Sequence, residues 1–283
     1  MADPVVRMLV LSSDTFPPFR VDVTVLFGRE LAARGFGVDW ILQSATPCEH
    51  AFAAPWGGGS VWVGPTDRGE SRLNRLRKHW LGVLHDLSVM KRARPGCYDV
   101  VQVKDKVLAA FPALWAARRS GAAFIYWLSF PHPEASSYLA RIGAARYRLL
   151  YRIRGWVQFR LLYRIILPRA DHVFVQSEQM KRDLVSYGLD ASKMTPVPMG
   201  VEMQDFAEVR SAPRTNADVA PTIGYLGTLA GERRIDFLVR CLPLVLKHKP
   251  GARLLLVGGG DRPADVENIT AEARRLGVLD KLE

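Results

Sequence analysis

Short apolar runs alternate with stretches of helical periodicity along most of this chain. Candidate strands are Val5–Ser12, Val38–Leu42, Val61–Gly64, Val100–Val103, Ala123–Leu128, His172–Gln176 and Met194–Val197. Between them, apolar residues recur at helical spacing near Val23–Arg34, Arg72–Arg92, Val107–Arg119, Ala135–Leu167 and Glu178–Tyr187. Strands that alternate with helices predict an α/β fold with a parallel sheet covered on both faces. Short runs rich in Val and Ile fit strands buried on both sides.

The pattern breaks at 204–221, a polar stretch with Pro213 and Pro221 and no sustained periodicity. It reads as a linker between a first domain, 1–203, and a second, 222–283. The second series runs strand, glycine turn, helix, strand, glycine turn, helix, with Thr222–Leu226 and Ala252–Val257 as its apolar runs. Two parallel strands bury too little apolar surface to be stable alone. The second domain is therefore expected to be incomplete in this chain. Its sheet edge around Leu254–Val257 is expected to lie open and to promote aggregation.

Composition adds one strong constraint. The net charge is +11, a field that favours phosphates, anionic lipid or nucleic acid. Cys48, Cys97 and Cys241 are far apart and form no CxxC pair, which points away from a disulfide framework or structural zinc and towards a reducing compartment. No apolar run is long enough for a transmembrane helix, and the N-terminus has no signal-peptide pattern. The positive charge is concentrated. From Ala135 to Ala170 there are eight arginines, among them Arg148, Arg152, Arg160 and Arg164, and no acidic residue. Leu150, Ile153, Val157 and Leu161 form an apolar stripe through them. An arginine-rich helix with aromatics suits an anionic membrane surface, and those four arginines are the expected membrane-facing residues. Alternatively, the segment is a helical pair packed on the sheet with a solvated basic face.

Ligands of open parallel sheets gather at the carboxyl ends of the strands. That rule selects Phe19, Arg20 and Asp22 after the first strand, and Lys104 and Asp105 after the fourth candidate. It also selects Ser129, His132 and Glu134 after the fifth, and Ser177 and Glu178 after the sixth. In the second domain it selects Gly227, Thr228, Arg233, Gly258 and Gly259. Glycine turns at strand ends let backbone N–H groups approach phosphate oxygens. Each residue has a plainer alternative. Asp22 could cap the helix near Val23, and Lys104-Asp105-Lys106 could be a solvated helix start. Arg233 could be solvated, and His132 could be a surface loop side chain.

Five places together resemble a known family. They are Asp14-Thr-Phe-Pro-Pro-Phe-Arg after the first strand, Leu31-Ala-Ala-Arg-Gly-Phe-Gly-Val, and Val173-Phe-Val-Gln-Ser-Glu-Gln-Met-Lys. The others are Val197-Pro-Met-Gly-Val-Glu, and Gly224-Tyr-Leu-Gly-Thr-Leu with Arg233 and Leu255-Leu-Val-Gly-Gly-Gly. In this order they resemble a GT-B glycosyltransferase of the large retaining family 4, built from two Rossmann-like domains. The resemblance implies a nucleotide-diphosphate-sugar donor and a glycan or lipid-linked acceptor. It implies no metal and no cofactor besides the donor. It places Gly227, Thr228, Arg233, Gly258 and Gly259 at the donor, and His132 at the sugar as the candidate catalytic residue. Phe19, Arg20, Asp22, Lys104, Asp105, Ser129, Glu134, Ser177 and Glu178 fall on the acceptor side. The chain departs from the family pattern at Phe19-Arg-Val-Asp, where Gly-Gly is common. It also departs at Thr228, where an arginine is usual, and at Arg233, where a lysine is. The family's donor-gripping glutamate pair lies beyond Glu283.

The expected function is sugar transfer on the cytoplasmic side of a membrane, by a peripheral protein. The alternative is a non-catalytic remnant or partner-binding module without donor affinity. Nucleic-acid binding rests on charge alone, with no recognition-helix, zinc-finger or RNP pattern, and is not expected.

Overall fold

The computed structural model describes residues 6–67, 72–143, 145, 147–200, 221–260 and 262–283. The chain folds as two compact units, Met1–Phe206 and Ala207–Glu283. The expected linker, 204–221, falls almost wholly outside the described residues.

The first unit is built on β1 (Val6–Phe16), β2 (Phe36–Ser44), β3 (Phe52–Trp56), β4 (Gly59–Gly64), β5 (Val100–Lys104), β6 (Ala123–Leu128), β7 (His172–Val175) and β8 (Met194–Pro196). These form one sheet in the order β3-β4-β2-β1-β5-β6-β7-β8. Every pairing is parallel except β3 with β4. Side chains alternate across the pleat, so β1 sends Leu9 and Leu11 into one core layer and Met8 and Val10 into the other. Against the Leu9 layer packs the helix Val107–Ser120, which presents Ala109, Ala110, Ala113, Ala116 and Ala117. Small side chains let helix and sheet approach closely. Against the Met8 layer packs the helix Asp22–Leu31 through Val23 and Phe27, which meet Trp40 and Trp127. This helix is wound as a π-helix.

Four expectations on elements need correction. First, β1 does not stop at Ser12. It runs to Phe16, with a register shift between Leu11 and Thr15. Such irregularities re-aim side chains, and Ser12 and Asp14 lie within this one. Second, β3 had no counterpart in the pattern. It is an edge strand that contains Pro55, where a missing N–H is tolerated, and it turns back on Gly57 and Gly58, both at positive φ. Third, the stretch expected as helix from Arg72 to Arg92 is two helices, Arg72–Asp86 and Val89–Arg92. Fourth, the helical stretch Ala135–Leu167 starts earlier than expected, at His132, and is divided as in the alternative of a helical pair. It is a helix His132–Arg141, a turn, and a second helix Arg148–Leu161 that winds on through Ile166 to Arg169. The two fold back on each other at Gly155, where a side chain would meet Ser137 Oγ and the Pro133 carbonyl.

The second unit pairs β9 (Thr222–Leu226) with β10 (Arg253–Val257) in parallel. The helices Asp236–His248 and Pro263–Arg275 pack Val239, Leu242, Ile269 and Ala273 around Leu254. The edge expected to be open at Leu254–Val257 is partly covered. Glu283 N–H donates to the Leu254 carbonyl at 2.9 Å, and Leu256 N–H donates to the Glu283 carbonyl at 2.8 Å. Those bonds satisfy part of the row of backbone groups that makes a bare edge adhesive.

Candidate functional site

At the carboxyl ends of β1 and β5 the first unit holds a buried ionic cluster. Lys104, the last residue of β5, is almost fully buried. Its Nζ donates to Asp22 Oδ2 at 2.7 Å and to Asp14 Oδ2 at 3.0 Å, and it lies 5.5 Å from the centre of the Trp127 ring. Arg20 Nε donates to Asp22 Oδ1 at 3.1 Å and lies 3.6 Å from Asp14. Burial works against the Asp22 carboxylate. The bonds and charges of Lys104 and Arg20 outweigh it and hold the group below the usual aspartate value. Two expectations are corrected. Lys104 is not a solvated helix start, and Asp22 makes no side-chain cap. Both belong to a tether that fixes the segment after β1, where Phe19 stands fully in solvent.

Beside this cluster, Asp105 adopts a left-handed backbone at φ 57°. Its carboxylate accepts from the Ser129 N–H at 2.8 Å and from the Ser129 hydroxyl. That pair ties the end of β5 to the end of β6. His132 follows three residues later, not in a loop but at the start of a helix, and its ring lies edge-on to Phe130. Its Nε2 is buried and has no hydrogen-bond partner among the described residues. Burial lowers its pKa below the ordinary histidine value; Asp105 and Glu134 oppose this, and Arg154 adds to it. The ring is therefore held neutral.

Glu134 is turned to a different task. It accepts from the Tyr163 hydroxyl at 2.9 Å and lines the groove of the helical hairpin. Ser177 caps the helix Glu178–Ser186 by accepting from Met180 N–H at 3.1 Å, and Glu178 is exposed in that helix's first turn. Arg148, Arg152, Arg160 and Arg164 are all exposed.

In the second unit the two glycine turns are bonded to each other. Gly227 N–H donates to the Val257 carbonyl at 3.0 Å, and Leu229 N–H donates to the Gly259 carbonyl at 2.8 Å. Gly227 and Gly258 have φ of 152° and 151°. A β-carbon on Gly258 would stand 1.9 Å from the Gly227 carbonyl oxygen, so only glycine fits there. Nothing crowds Gly259 within 4 Å. The Thr228 carbonyl accepts from the Tyr225 hydroxyl at 3.0 Å. Arg233 is exposed at the end of the single turn Gly231–Arg233.

The strand-end rule also covers Asp14, but not its pairing with Lys104; sequence reasoning missed Tyr126, whose hydroxyl is buried without a partner among the described residues. The register shift in β1 could not be read from an unbroken apolar run.

A doubly wound first sheet, with polar groups gathered at its strand ends and a glycine-turn parallel pair after it, is the architecture of the GT-B glycosyltransferases. Residues 22–200 match the family described as glycosyl transferase 4-like domain, and the chain belongs to that family. Over 101 residues it is 32% identical to D-inositol 3-phosphate glycosyltransferase of Segniliparus rotundus, a match that spans 34% of this chain and 22% of that relative's length. Three solved structures share the fold. Sucrose-phosphate synthase from Thermosynechococcus elongatus superposes with a TM-score of 0.63 at 18% identity, over 98% of this chain and 69% of that one. Anabaena HepE in complex with UDP and glucose gives 0.56 at 15%, over 98% and 68%. The catalytic domain of starch synthase IV from Arabidopsis thaliana, bound to ADP and acarbose, gives 0.57 at 12%, over 98% and 73%.

Proposed function

We propose that the chain carries the acceptor side, and the opening of the donor side, of a retaining glycosyltransferase. The enzyme moves a sugar from a nucleotide-diphosphate donor to a glycan or lipid-linked acceptor at the cytoplasmic face of a membrane. The observation that carries this reading is the family match across residues 22–200 within a GT-B fold. Anabaena HepE has been solved with UDP-glucose, which supports a nucleotide sugar as donor. A trehalose-6-phosphate synthase studied for transfer with retention shares the fold at a TM-score of 0.56 and 14% identity, which supports retention.

In the reaction, the bond from the sugar's anomeric carbon to the diphosphate oxygen breaks. The acceptor oxygen takes that place, its proton passes to the departing diphosphate oxygen, and the diphosphate leaves with the bonding electrons. Catalysis requires charge on the diphosphate to be stabilised more in the transition state than before it. Gly227, Gly258 and Gly259 bring backbone close to the phosphates without a side chain in the way, Thr228 offers its hydroxyl beside them, and Arg233 adds a positive charge. On the acceptor side, neutral His132 accepts a hydrogen bond from a sugar hydroxyl. Phe19 and Arg20 meet the acceptor, Asp105 and Ser129 hold the end of β6 in place, and Ser177 and Glu178 stand at the end of β7. No metal is required, because arginine and backbone dipoles offset the diphosphate. The exposed arginines of the hairpin support a peripheral membrane location.

The test is direct. The full protein is titrated with UDP, GDP and ADP and with their sugars, and labelled sugar is then followed into an extract of membrane lipids and glycans. One donor should saturate and label a product. If no nucleotide or nucleotide sugar binds at millimolar concentration, the transferase reading fails, and a partner-binding module without donor affinity replaces it.

A further inference from the structure

The helix Arg148–Leu161 carries its polarity in an unusual direction. The side packed against the protein is Gly155, with Tyr151, Gln158 and Phe159 half-buried. Leu149, Leu150, Ile153 and Trp156 are each half or more exposed, and Val157 is also exposed. At helical spacing these five share one outward face. Isolated exposed apolar side chains need no explanation, but a contiguous patch marks something that covers it. Among the described residues, Arg141, Arg148, Arg152, Arg154 and Arg160 make no ion pair, whereas Arg118, Arg234, Arg240 and Arg275 elsewhere do. Arg160 instead lies over the Trp156 ring at 5.3 Å, and Arg141 over Tyr138 at 5.7 Å.

Between the two helices of the hairpin runs an open groove of about 910 Å³, lined by Glu134, Tyr138, Arg141, Arg148, Arg152 and Trp156 among others. Arg148 Nε reaches across it to the Ala140 carbonyl at 3.2 Å. Three guanidinium groups and one carboxylate leave the groove cationic, and Glu134 is already engaged by Tyr163. Guanidinium forks match phosphate oxygens. The volume falls within the range of small-molecule sites. One wall continues into the exposed Leu149, Ile153 and Trp156.

We propose that this groove binds the phosphate-bearing head of a single membrane lipid. Arg141, Arg148 and Arg152 surround the phosphate, and the lipid's hydrocarbon chain lies along Leu149, Ile153 and Trp156. A free phosphate would leave the apolar face bare, and an uncharged lipid would leave the arginines unpaired. An anionic amphiphile satisfies both. The inference rests on the reading that the hairpin touches a membrane. It does not depend on sugar transfer.

The experiment uses dihexanoyl phosphatidic acid below its micelle concentration, so that no bilayer is present. Binding is read as the fluorescence of Trp156, obtained by subtracting the signal of Trp156→Phe. Two variants remove equal charge: Arg148→Gln with Arg152→Gln inside the groove, and Arg154→Gln with Arg164→Gln outside it. Circular dichroism and melting confirm that both fold, and Arg152→Gln alone, which touches no described partner, guards against a folding defect from losing Arg148. Saturable binding is expected, weakened about tenfold or more by the inner pair and about twofold or less by the outer pair. Absence of saturation, equal losses in both pairs, or equally tight binding of inorganic phosphate would overturn the proposal. Phosphatidylglycerol vesicles separate the two readings. If they still bind while the short-chain lipid does not, the membrane reading stands and the groove proposal falls. If they do not bind at low salt, both fall.

Discussion

Lys104 is the residue whose surroundings depart furthest from what its neighbours in sequence suggest. Breaking a buried ion pair leaves an uncompensated charge and costs about 3–5 kcal/mol. Lys104→Met should therefore destabilise the first unit by about that much in urea denaturation at neutral pH. Adding Asp22→Asn should recover part of the loss. Asp22 has its folded pKa below 3.8, so its contribution is present above that value and fades as pH falls through the folded pKa. The Lys104→Met penalty should shrink over the same acid range. His132 gives a second pH signature. Its folded pKa lies below 6.5, so the unfolded state binds the extra proton first. The stability of the neutral ring is complete above 6.5 and is lost as pH falls from there through the folded value. His132→Asn should flatten the melting temperature across that window. A constant slope in the variant would show that another group titrates there.

At the scale of elements, close approach decides what can be changed. Gly258→Ala places a β-carbon 1.9 Å from the Gly227 carbonyl oxygen, at a backbone angle that side chains avoid. It should weaken the β9–β10 pair by roughly 2 kcal/mol or more, read as faster hydrogen exchange at residues 222–226. Gly259→Ala, which meets no atom within 4 Å, should leave that exchange nearly unchanged. The hairpin has its own contact point at Gly155. A valine there would strike the backbone of Pro133, 3.0 Å from the new β-carbon, and should part the two helices. Protease cleavage near Ile142 should then accelerate.

At the scale of the whole molecule, the charge of +11 and the outward apolar face predict flotation with vesicles containing anionic lipid. Binding should weaken steeply between low and physiological salt as exposed charges are screened. Binding insensitive to salt would mean the arginines play no part. Local pattern was sufficient for much of this molecule. Strand-and-helix alternation determined the parallel sheet, because the period of apolar residues is a local property of the chain. The strand-end rule placed Asp22, Lys104, Asp105, Ser129 and His132 where β1, β5 and β6 end, because connectivity fixes which ends face together. Other features needed the folded chain. Lys104 meets Asp14 and Asp22 from 90 and 82 residues away, a pairing that no window around Lys104 contains. The strand β3 carries weak periodicity and forms because β4 offers it an edge. Spacing marked Leu150, Ile153, Val157 and Leu161 as one stripe but could not say that the first three point outward while Leu161 packs against the core. Gly155 decided that. It lets the opposite face approach Pro133 and Ser137, and so turns the first three outward.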